Sequence, residues 1–262
     1  MVIDKATDRF VKENKEVISC AKSFERKLNL RIRVNEKQSG VKLGVPNAVE
    51  YVLTEEYACI VLEDDCLADN SALTFFDSMA PNLKESICLV TGDSPWFENE
   101  IDVNAVSMYP LIWGWATNRP QWDKLKILIN QPVPWIAALR TLSRKPNFAI
   151  PIAFFLATQI RIEKENLQAW DCSLALSMIL QDLKCIIPSR RLTSNIGNDE
   201  FAHHTLNEKS VRRESVSTGN KITDHVSYEE KHERITNTAI RKRIYQMKWF
   251  HLMSPIKALL RS

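Results

Sequence analysis

Three consecutive acidic residues, Glu63-Asp64-Asp65, are the part of this chain whose residue types best suit metal chemistry. Adjacent carboxylates repel one another, so packing alone gives no reason to group them, and a divalent cation would remove that cost. Mg²⁺ and Mn²⁺ take oxygen ligands from one or two carboxylates and keep positions free for phosphate oxygens. The triplet therefore suits a cation that bridges the protein and a diphosphate leaving group. The alternative is a solvated acidic turn.

The elements around the triplet predict an α/β layered fold, because strands and helices alternate in the first half of the chain. Residues 58–62 form a continuous apolar run, which is typical of a buried parallel strand, and the triplet follows it directly. Ligands of α/β sheets bind outside the carboxyl ends of strands, which is where the triplet lies. The predicted strands are 29–34, 58–62, 87–91 and 184–187, and the predicted helices are 8–28, 45–55, 71–80, 119–129, 133–143, 149–165 and 170–182.

The composition of the chain indicates a folded protein and disfavours several functional classes. The 262 residues are 45% hydrophobic, enough for a core, and the net charge of +3 gives no general argument for nucleic-acid binding. None of the six cysteines falls in a CxxC pair, which indicates a reducing compartment. The N-terminus is too charged for a signal peptide, and no apolar run reaches the ~20 residues of a spanning helix. We therefore expect a cytoplasmic protein, soluble or peripheral at the inner face of a membrane.

The last fifth of the chain, from residue 206 onward, differs in composition from the rest. Residues 206–230 are polar and read as a linker, whereas 231–262 are basic and amphipathic. Such a tail suits an anionic membrane surface, to which its basic face would turn. The alternative is a helix packed on the preceding domain. Nucleic-acid binding is disfavoured, because no motif of a known nucleic-acid-binding module is present.

Several further motifs follow the triplet in a fixed order. They are Phe75-Phe76, Trp113-Gly114-Trp115-Ala116-Thr117, Trp122, Trp170-Asp171, Asn195-Ile196-Gly197 and Ala202-His203-His204-Thr205. Together with residues 60–66, this ordered set resembles the nucleotide-sugar glycosyltransferases of the GT-A fold. The resemblance is closest to a bacterial group that builds cell-surface polysaccharides, and it extends distantly to N-acetylglucosaminyltransferase I. It covers about residues 38–206.

The resemblance implies an architecture and a reaction. The fold would be a GT-A-like (Rossmann-like) mixed sheet flanked by helices, with a helical, basic C-terminal extension. Residues 1–205 would form the transferase domain, 206–230 a linker and 231–262 the tail. The reaction would move a sugar, with inversion, from a nucleotide diphosphate donor, foremost a UDP-sugar. The acceptor would be a saccharide or a lipid-linked saccharide, and the cofactor Mn²⁺ or Mg²⁺.

The resemblance also implies roles on the donor side. Asp65 would ligate the metal, Asp64 would contact the ribose or assist the metal, and Glu63 would hold the loop or the nucleotide in place. Gly40 and Lys42 precede the strand that carries the triplet, and Lys42 would neutralise the donor phosphate. A solvated surface lysine is the alternative for Lys42.

On the acceptor side, Trp113, Gly114 and Trp115 would line the acceptor pocket, with Gly114 letting a sugar approach the backbone. Plain core packing is the alternative for the tryptophans. Asp171 would be the general base that deprotonates the acceptor hydroxyl. Its alternative is a capping role, because an acid at a helix N-terminus is favoured by the helix dipole.

His204 matches the histidine of the family's Ala-Thr-His-Thr segment and would complete the metal shell or contact the diphosphate. His203 is another candidate for that role. The alternative for both histidines is that they lie in a surface loop without a function.

The family's chains begin with a strand, a helix and a second strand before the position of Asp4. We therefore expect the first strand to be absent, the base pocket to be incomplete and Asp4 to be a remnant base or ribose contact. A degenerate, non-catalytic binding protein is the alternative function, and a metal-dependent phosphohydrolase is a third.

Overall fold

Strands and helices alternate in the first part of the chain, as the hydrophobic pattern predicts. The computed structural model describes residues 1–95, 102–129, 135–144, 148–167, 169–197 and 225–242. They form two units: the first comprises residues up to Val52 together with 169–170, and the second comprises the remaining described residues.

The first unit begins with a short parallel strand pair. Its elements are β1 (Val2–Ile3), α1 (Val11–Phe24), β2 (Arg33–Val34) and α2 (Gly40–Glu55), of which α2 extends three residues past Val52. β1 and β2 pair with Ile3 opposite Val34. The predicted strand 29–34 is therefore confined to its last two residues, and the predicted helices 8–28 and 45–55 are found with shifted ends.

The second unit contains the sheet and most of the helices. In chain order its elements are β3 (Ala58–Val61), β4 (Cys66–Ala68), α3 (Asn70–Met79), β5 (Ile87–Thr91), β6 (Asn104–Ser107), β7 (Trp115–Asn118), α4 (Arg119–Ile129), α5 (Trp135–Arg144), α6 (Ala149–Lys164), α7 (Asp171–Gln181), β8 (Lys184–Ile187), β9 (Thr193–Asn195), β10 (Val226–Ser227) and α8 (230–242).

Six strands form a mixed sheet in the order β10-β6-β8-β5-β7-β3. β5 pairs with β8 and β10 with β6 in parallel, while the other neighbours are antiparallel. The predicted mixed α/β sheet with flanking helices is confirmed.

The prediction that residues 58–62 form a buried parallel strand is wrong. Among the described residues β3 is an edge strand of this sheet, and it pairs antiparallel with β7. Cys59 is buried, whereas Ile60 is 39% exposed, so only one face of the strand is covered. An apolar run of this length does not distinguish a strand covered on both faces from a half-covered one.

Helix α3 packs its apolar face on the sheet and closes one part of the core. Phe75, Phe76 and Met79 lie with Val90 and Ile186 in one buried cluster. Asp69 begins this helix by accepting a hydrogen bond from the Ala72 amide (2.7 Å), which satisfies one of the free amides of the first turn. This helix therefore supports the strands that end beside the triplet.

The described C-terminal part of the chain packs on the sheet. β10 adds a strand beside β6, within the range predicted as a polar linker. In α8, Asn237 accepts hydrogen bonds from Ser107 Oγ (2.9 Å) and the Met108 amide (3.1 Å), and Ile240 is buried. The described portion of the predicted tail, 231–242, thus has the packing role. Residues 243–262 lie outside the described residues.

No helix in the described ranges has the length and apolar character needed to cross a bilayer.

Candidate functional site

Several strands present their ends at one edge of the sheet. β3 and β5 both run antiparallel to β7, with Val61 and Thr91 each opposite Trp115 at the start of β7. β8 runs parallel to β5 and ends at the same edge. The acidic triplet, Gly92 and Gly114 are therefore brought together here, as is expected for a ligand site at carboxyl strand ends.

The triplet forms a turn that leads into a small ladder. The Cys66 amide donates to the Glu63 carbonyl (3.0 Å), which closes the turn. β4 then pairs antiparallel with β9, with Cys66 opposite Asn195. This ladder, missed by the sequence analysis, ties the acidic turn to residues far along the chain.

Asp65 is bound directly by the segment after β9. Asn195 Nδ2 donates to Asp65 Oδ2 (2.8 Å), and the Ile196 amide donates to the Asp65 carbonyl (2.8 Å). A Cβ on Gly197 would lie 2.6 Å from Asp65 Oδ2, so a glycine is needed for this approach. The structure therefore brings together the triplet and the predicted Asn195-Ile196-Gly197 motif.

Cys66 lies against the same carboxylate. Its Sγ is 3.5 Å from Asp65 Oδ1. Burial, and then the neighbouring charge of Asp65, raise the pKa of the Cys66 thiol to about 12. The thiol is therefore protonated at neutral pH and donates its hydrogen to the carboxylate.

Thr193 fills the space between two glycines at this edge. A Cβ on Gly92 would lie 2.5 Å from Thr193 Cγ2, and one on Gly114 would lie 2.7 Å from the same atom. Gly114 also has a φ of +75°, which other residues rarely adopt. Thr193 Oγ1 donates to the Trp113 carbonyl, and the Leu192 amide donates to the Gly92 carbonyl (2.8 Å). These contacts fix the segment that carries Asn195.

A buried ion pair, Asp93 with Arg191, joins the end of β5 to the same segment. Arg191 Nε donates to Asp93 Oδ1 (3.0 Å), and its Nη2 donates to the Ser94 carbonyl (3.1 Å). The Ser94 amide also donates to Asp93 Oδ1 (2.8 Å). This pair was not predicted from the sequence. Two features of the sequence could have indicated it. Asp93 lies two residues after a strand, as Glu63 does, and Arg191 lies shortly after β8.

The Trp115 side chain packs in the core. It is fully buried and stacks on Trp122, with ring centroids 6.1 Å apart. Trp113 is half-buried, and Gly114 is buried against Thr193 and Leu62. The Trp115 ring is therefore part of the core, whereas the acceptor-lining role of Trp113 stays a prediction.

Asp171 is the first residue of α7 and is exposed. α7 ends beside α4, where Gln181 Nε2 donates to the Lys124 carbonyl (3.0 Å), and β8 begins three residues later. Both the capping and the general-base interpretations are compatible with this position.

In the first unit, Asp4 binds the start of α2. Its carboxylate accepts hydrogen bonds from the amides of Ser39 (2.9 Å) and Gly40 (2.8 Å) and from Asn35 Nδ2 (3.0 Å). Burial alone would raise the pKa of Asp4, but these hydrogen bonds outweigh it and lower the pKa below its usual value. The Gly40 amide is thus engaged by Asp4, and Lys42 is half-exposed on the next turn.

The donor set at the acidic turn fits a shared cation rather than an all-protein cage. Among the described residues no group of three or more His, Cys, Asp or Glu side chains could hold a metal. Mg²⁺ and Mn²⁺ are bound by one or two carboxylates together with substrate phosphates, so Asp65 with one neighbour would suffice beside a diphosphate. His204, predicted as a further ligand, lies outside the described residues.

Comparisons with known proteins returned no family. No family model matches this chain, and no curated protein matches it.

Proposed function

We propose that this protein is a glycosyltransferase that moves a sugar from a nucleotide diphosphate donor to a saccharide or lipid-linked acceptor. The observation that carries the proposal is the contact between Asp65 and the 195–197 segment at the carboxyl edge of the sheet. Two motifs that the resemblance treats as parts of one site are 130 positions apart and share a hydrogen bond. A solvated acidic turn would need no such partner.

On the donor side, Asp65 would hold the cation, Asp64 would contact the ribose or assist the metal, and Glu63 would hold the loop or the nucleotide in place. When bound, Mn²⁺ or Mg²⁺ neutralises the negative charge that develops on the departing diphosphate. Gly92 and Gly114 make room for Thr193 at this edge, and Thr193 in turn fixes the segment that brings Asn195 to Asp65. The phosphate-binding role of Gly40 and Lys42, which belong to the first unit, stays a prediction.

On the acceptor side, Asp171 accepts the proton of the acceptor hydroxyl. The acceptor oxygen then forms a bond to the anomeric carbon, and the bond from that carbon to the diphosphate oxygen breaks. The nucleoside diphosphate leaves with the electron pair, which inverts the anomeric centre. Trp113 offers an aromatic face for the acceptor sugar. The reaction is proposed to occur in the cytoplasm, at the membrane surface if the acceptor is lipid-linked.

Calorimetric titration of the full chain with UDP in the presence of Mn²⁺ tests the donor site. We expect binding that depends on the cation and is lost in Asp65→Ala. Asp77→Ala, which removes an exposed acid from α3, should bind as the unaltered protein does. Absence of binding to UDP, GDP and dTDP with either Mn²⁺ or Mg²⁺ would reject the proposal.

Turnover assays separate the remaining alternatives. Transfer or slow hydrolysis of a sugar nucleotide that is lost in Asp65→Ala supports the enzyme. Donor binding without turnover of any sugar nucleotide would indicate a non-catalytic binding protein. Release of inorganic phosphate from simple phosphate esters would indicate a phosphohydrolase.

A further inference from the structure

The Asn195 side chain is fixed at both ends of its amide. Nδ2 donates to Asp65 Oδ2 (2.8 Å), and Oδ1 accepts from the Gly197 amide (2.9 Å). Because one end needs a donor and the other an acceptor, only one orientation of this amide satisfies both bonds.

The backbone reinforces this arrangement. Cys66 and Asn195 are opposed in the β4–β9 ladder, and the Ile196 amide donates to the Asp65 carbonyl (2.8 Å). Asp65 is therefore held through its backbone as well as its carboxylate.

Gly197 closes one side of the carboxylate. A Cβ at this position would lie 2.6 Å from Asp65 Oδ2 and 2.8 Å from Asp65 Cβ. With Oδ2 engaged by Asn195, rotation of the carboxylate would break a charge-assisted hydrogen bond. Oδ1, which has the Cys66 thiol at 3.5 Å, is the oxygen not engaged by Asn195.

We propose that Asn195 is a positioning residue for Asp65: it holds the carboxylate in one orientation, in which a cation would replace the weak contact of the Cys66 thiol with Oδ1. This inference rests on the proposed function, in which Asp65 binds a cation shared with the donor diphosphate. Partners that orient a metal-ligating carboxylate are typically worth ~10–100-fold in metal affinity. Asn195 acts through Asp65 and does not touch the reacting atoms.

The first test measures Mn²⁺ affinity in the presence of UDP, well below the unfolding temperature. Asn195→Ala should weaken Mn²⁺ binding about 10–100-fold while the protein stays folded. Ser194→Ala is the matched control, because neighbouring strand residues point to opposite faces of the ladder. A merely structural role for Asn195 would lower the unfolding temperature and leave the Mn²⁺ affinity of the folded protein unchanged.

The second test needs neither metal nor nucleotide. In NMR spectra of the full chain, Asp65→Asn should move the side-chain amide resonances of Asn195, and Asp64→Asn should leave them in place. Unmoved Asn195 resonances in Asp65→Asn would overturn the inference whatever the metal data show.

The two tests also separate this inference from the proposed function. Wild-type Mn²⁺ binding that is undiminished in Asn195→Ala overturns the positioning role alone. If the wild-type chain binds no cation with any nucleotide, the proposed function fails. The claim that Asn195 positions Asp65 for a cation then fails as well, even if the NMR spectra show the contact between Asn195 and Asp65.

Discussion

Arg191 Nε lies 3.0 Å from Asp93 Oδ1 in an ion pair whose side chains are only 9% and 3% exposed. Removal of one partner from such a pair leaves an uncompensated buried charge, which typically costs about 3–5 kcal/mol. We therefore expect Asp93→Asn to lower the free energy of unfolding by that amount in chemical denaturation. Asp123→Asn, which breaks an exposed pair with Lys126, should cost less than about 1 kcal/mol. Equal effects of the two variants would contradict the burial of the Asp93 pair.

The packing of Thr193 against Gly92 predicts an overpacking effect. Gly92→Ala would place a Cβ 2.5 Å from Thr193 Cγ2 and should destabilise the protein by about 1–3 kcal/mol. Thr193→Ala in the same chain should recover part of that loss, because it removes the atom in conflict. In α2, a Cβ on Gly44 comes no closer than 4.0 Å to Ser39 Cβ, so Gly44→Ala should stabilise by about 0.5–1 kcal/mol. Thermal unfolding of the variants measures all three effects.

The hydrogen bonds of Asp4 predict that the stability of the first unit depends on pH. The folded pKa of Asp4 lies below the usual 3.8, so its stabilising contribution is complete above that value and is lost as the pH falls through the folded pKa. Asp4→Ala should cost about 0.5–2 kcal/mol at pH 7, as for loss of a helix cap, and much less at the acidic end. Urea denaturation between pH 7 and pH 2.5 tests this, with Glu36→Ala as an exposed control. A cost that does not change with pH would exclude the carboxylate as its origin.

If Asp171 is the general base, Asp171→Asn should lower kcat about 10²–10⁴-fold and leave donor affinity nearly intact. Steady-state kinetics combined with UDP titration separates the two quantities. A collapse of donor affinity would instead assign Asp171 to donor binding or to the fold. Unchanged kcat and unchanged affinity would leave it the role of an acid at a helix N-terminus.

Deletion of residues 243–262 tests the tail better than deletion from the predicted boundary at residue 231, because it keeps Asn237 and Ile240. Deletion of 231–262 should lower the unfolding temperature because it removes Asn237 and Ile240, which pack on the sheet unit, whereas deletion of 243–262 spares both residues. If the remaining basic residues contact membranes, the shorter deletion should reduce co-sedimentation with vesicles containing anionic lipid. Undiminished co-sedimentation would remove the membrane role of 243–262.

Hydrophobic pattern and turn residues were sufficient to predict the longer elements. β5, β8 and α4 have the predicted bounds, and α3 and α7 agree to within a residue at each end. These segments combine a helical periodicity or a continuous apolar run with polar residues at their ends, which is the information that local sequence carries.

The shortest strands and the long-range contacts could not be predicted in this way. β4, β9 and β10 have two or three residues each, too few for a pattern to form. Asp93 and Arg191 each read as a loop residue, because their pairing depends on the sheet order. Asp65 was identified by its neighbours in sequence, but its contact with Asn195 follows from the fold.

The β4–β9 ladder has a consequence for biosynthesis. Asp65 and Asn195 are separated by 130 positions, so the acidic turn leaves the ribosome long before the strand that fixes it. Contacts of such long separation form late, because loop closure must precede them. Throughout much of translation the nascent chain therefore carries an acidic turn without its partner. The candidate site forms only when the final third of the protein is synthesised. No ligand can therefore bind there until the sheet is nearly complete.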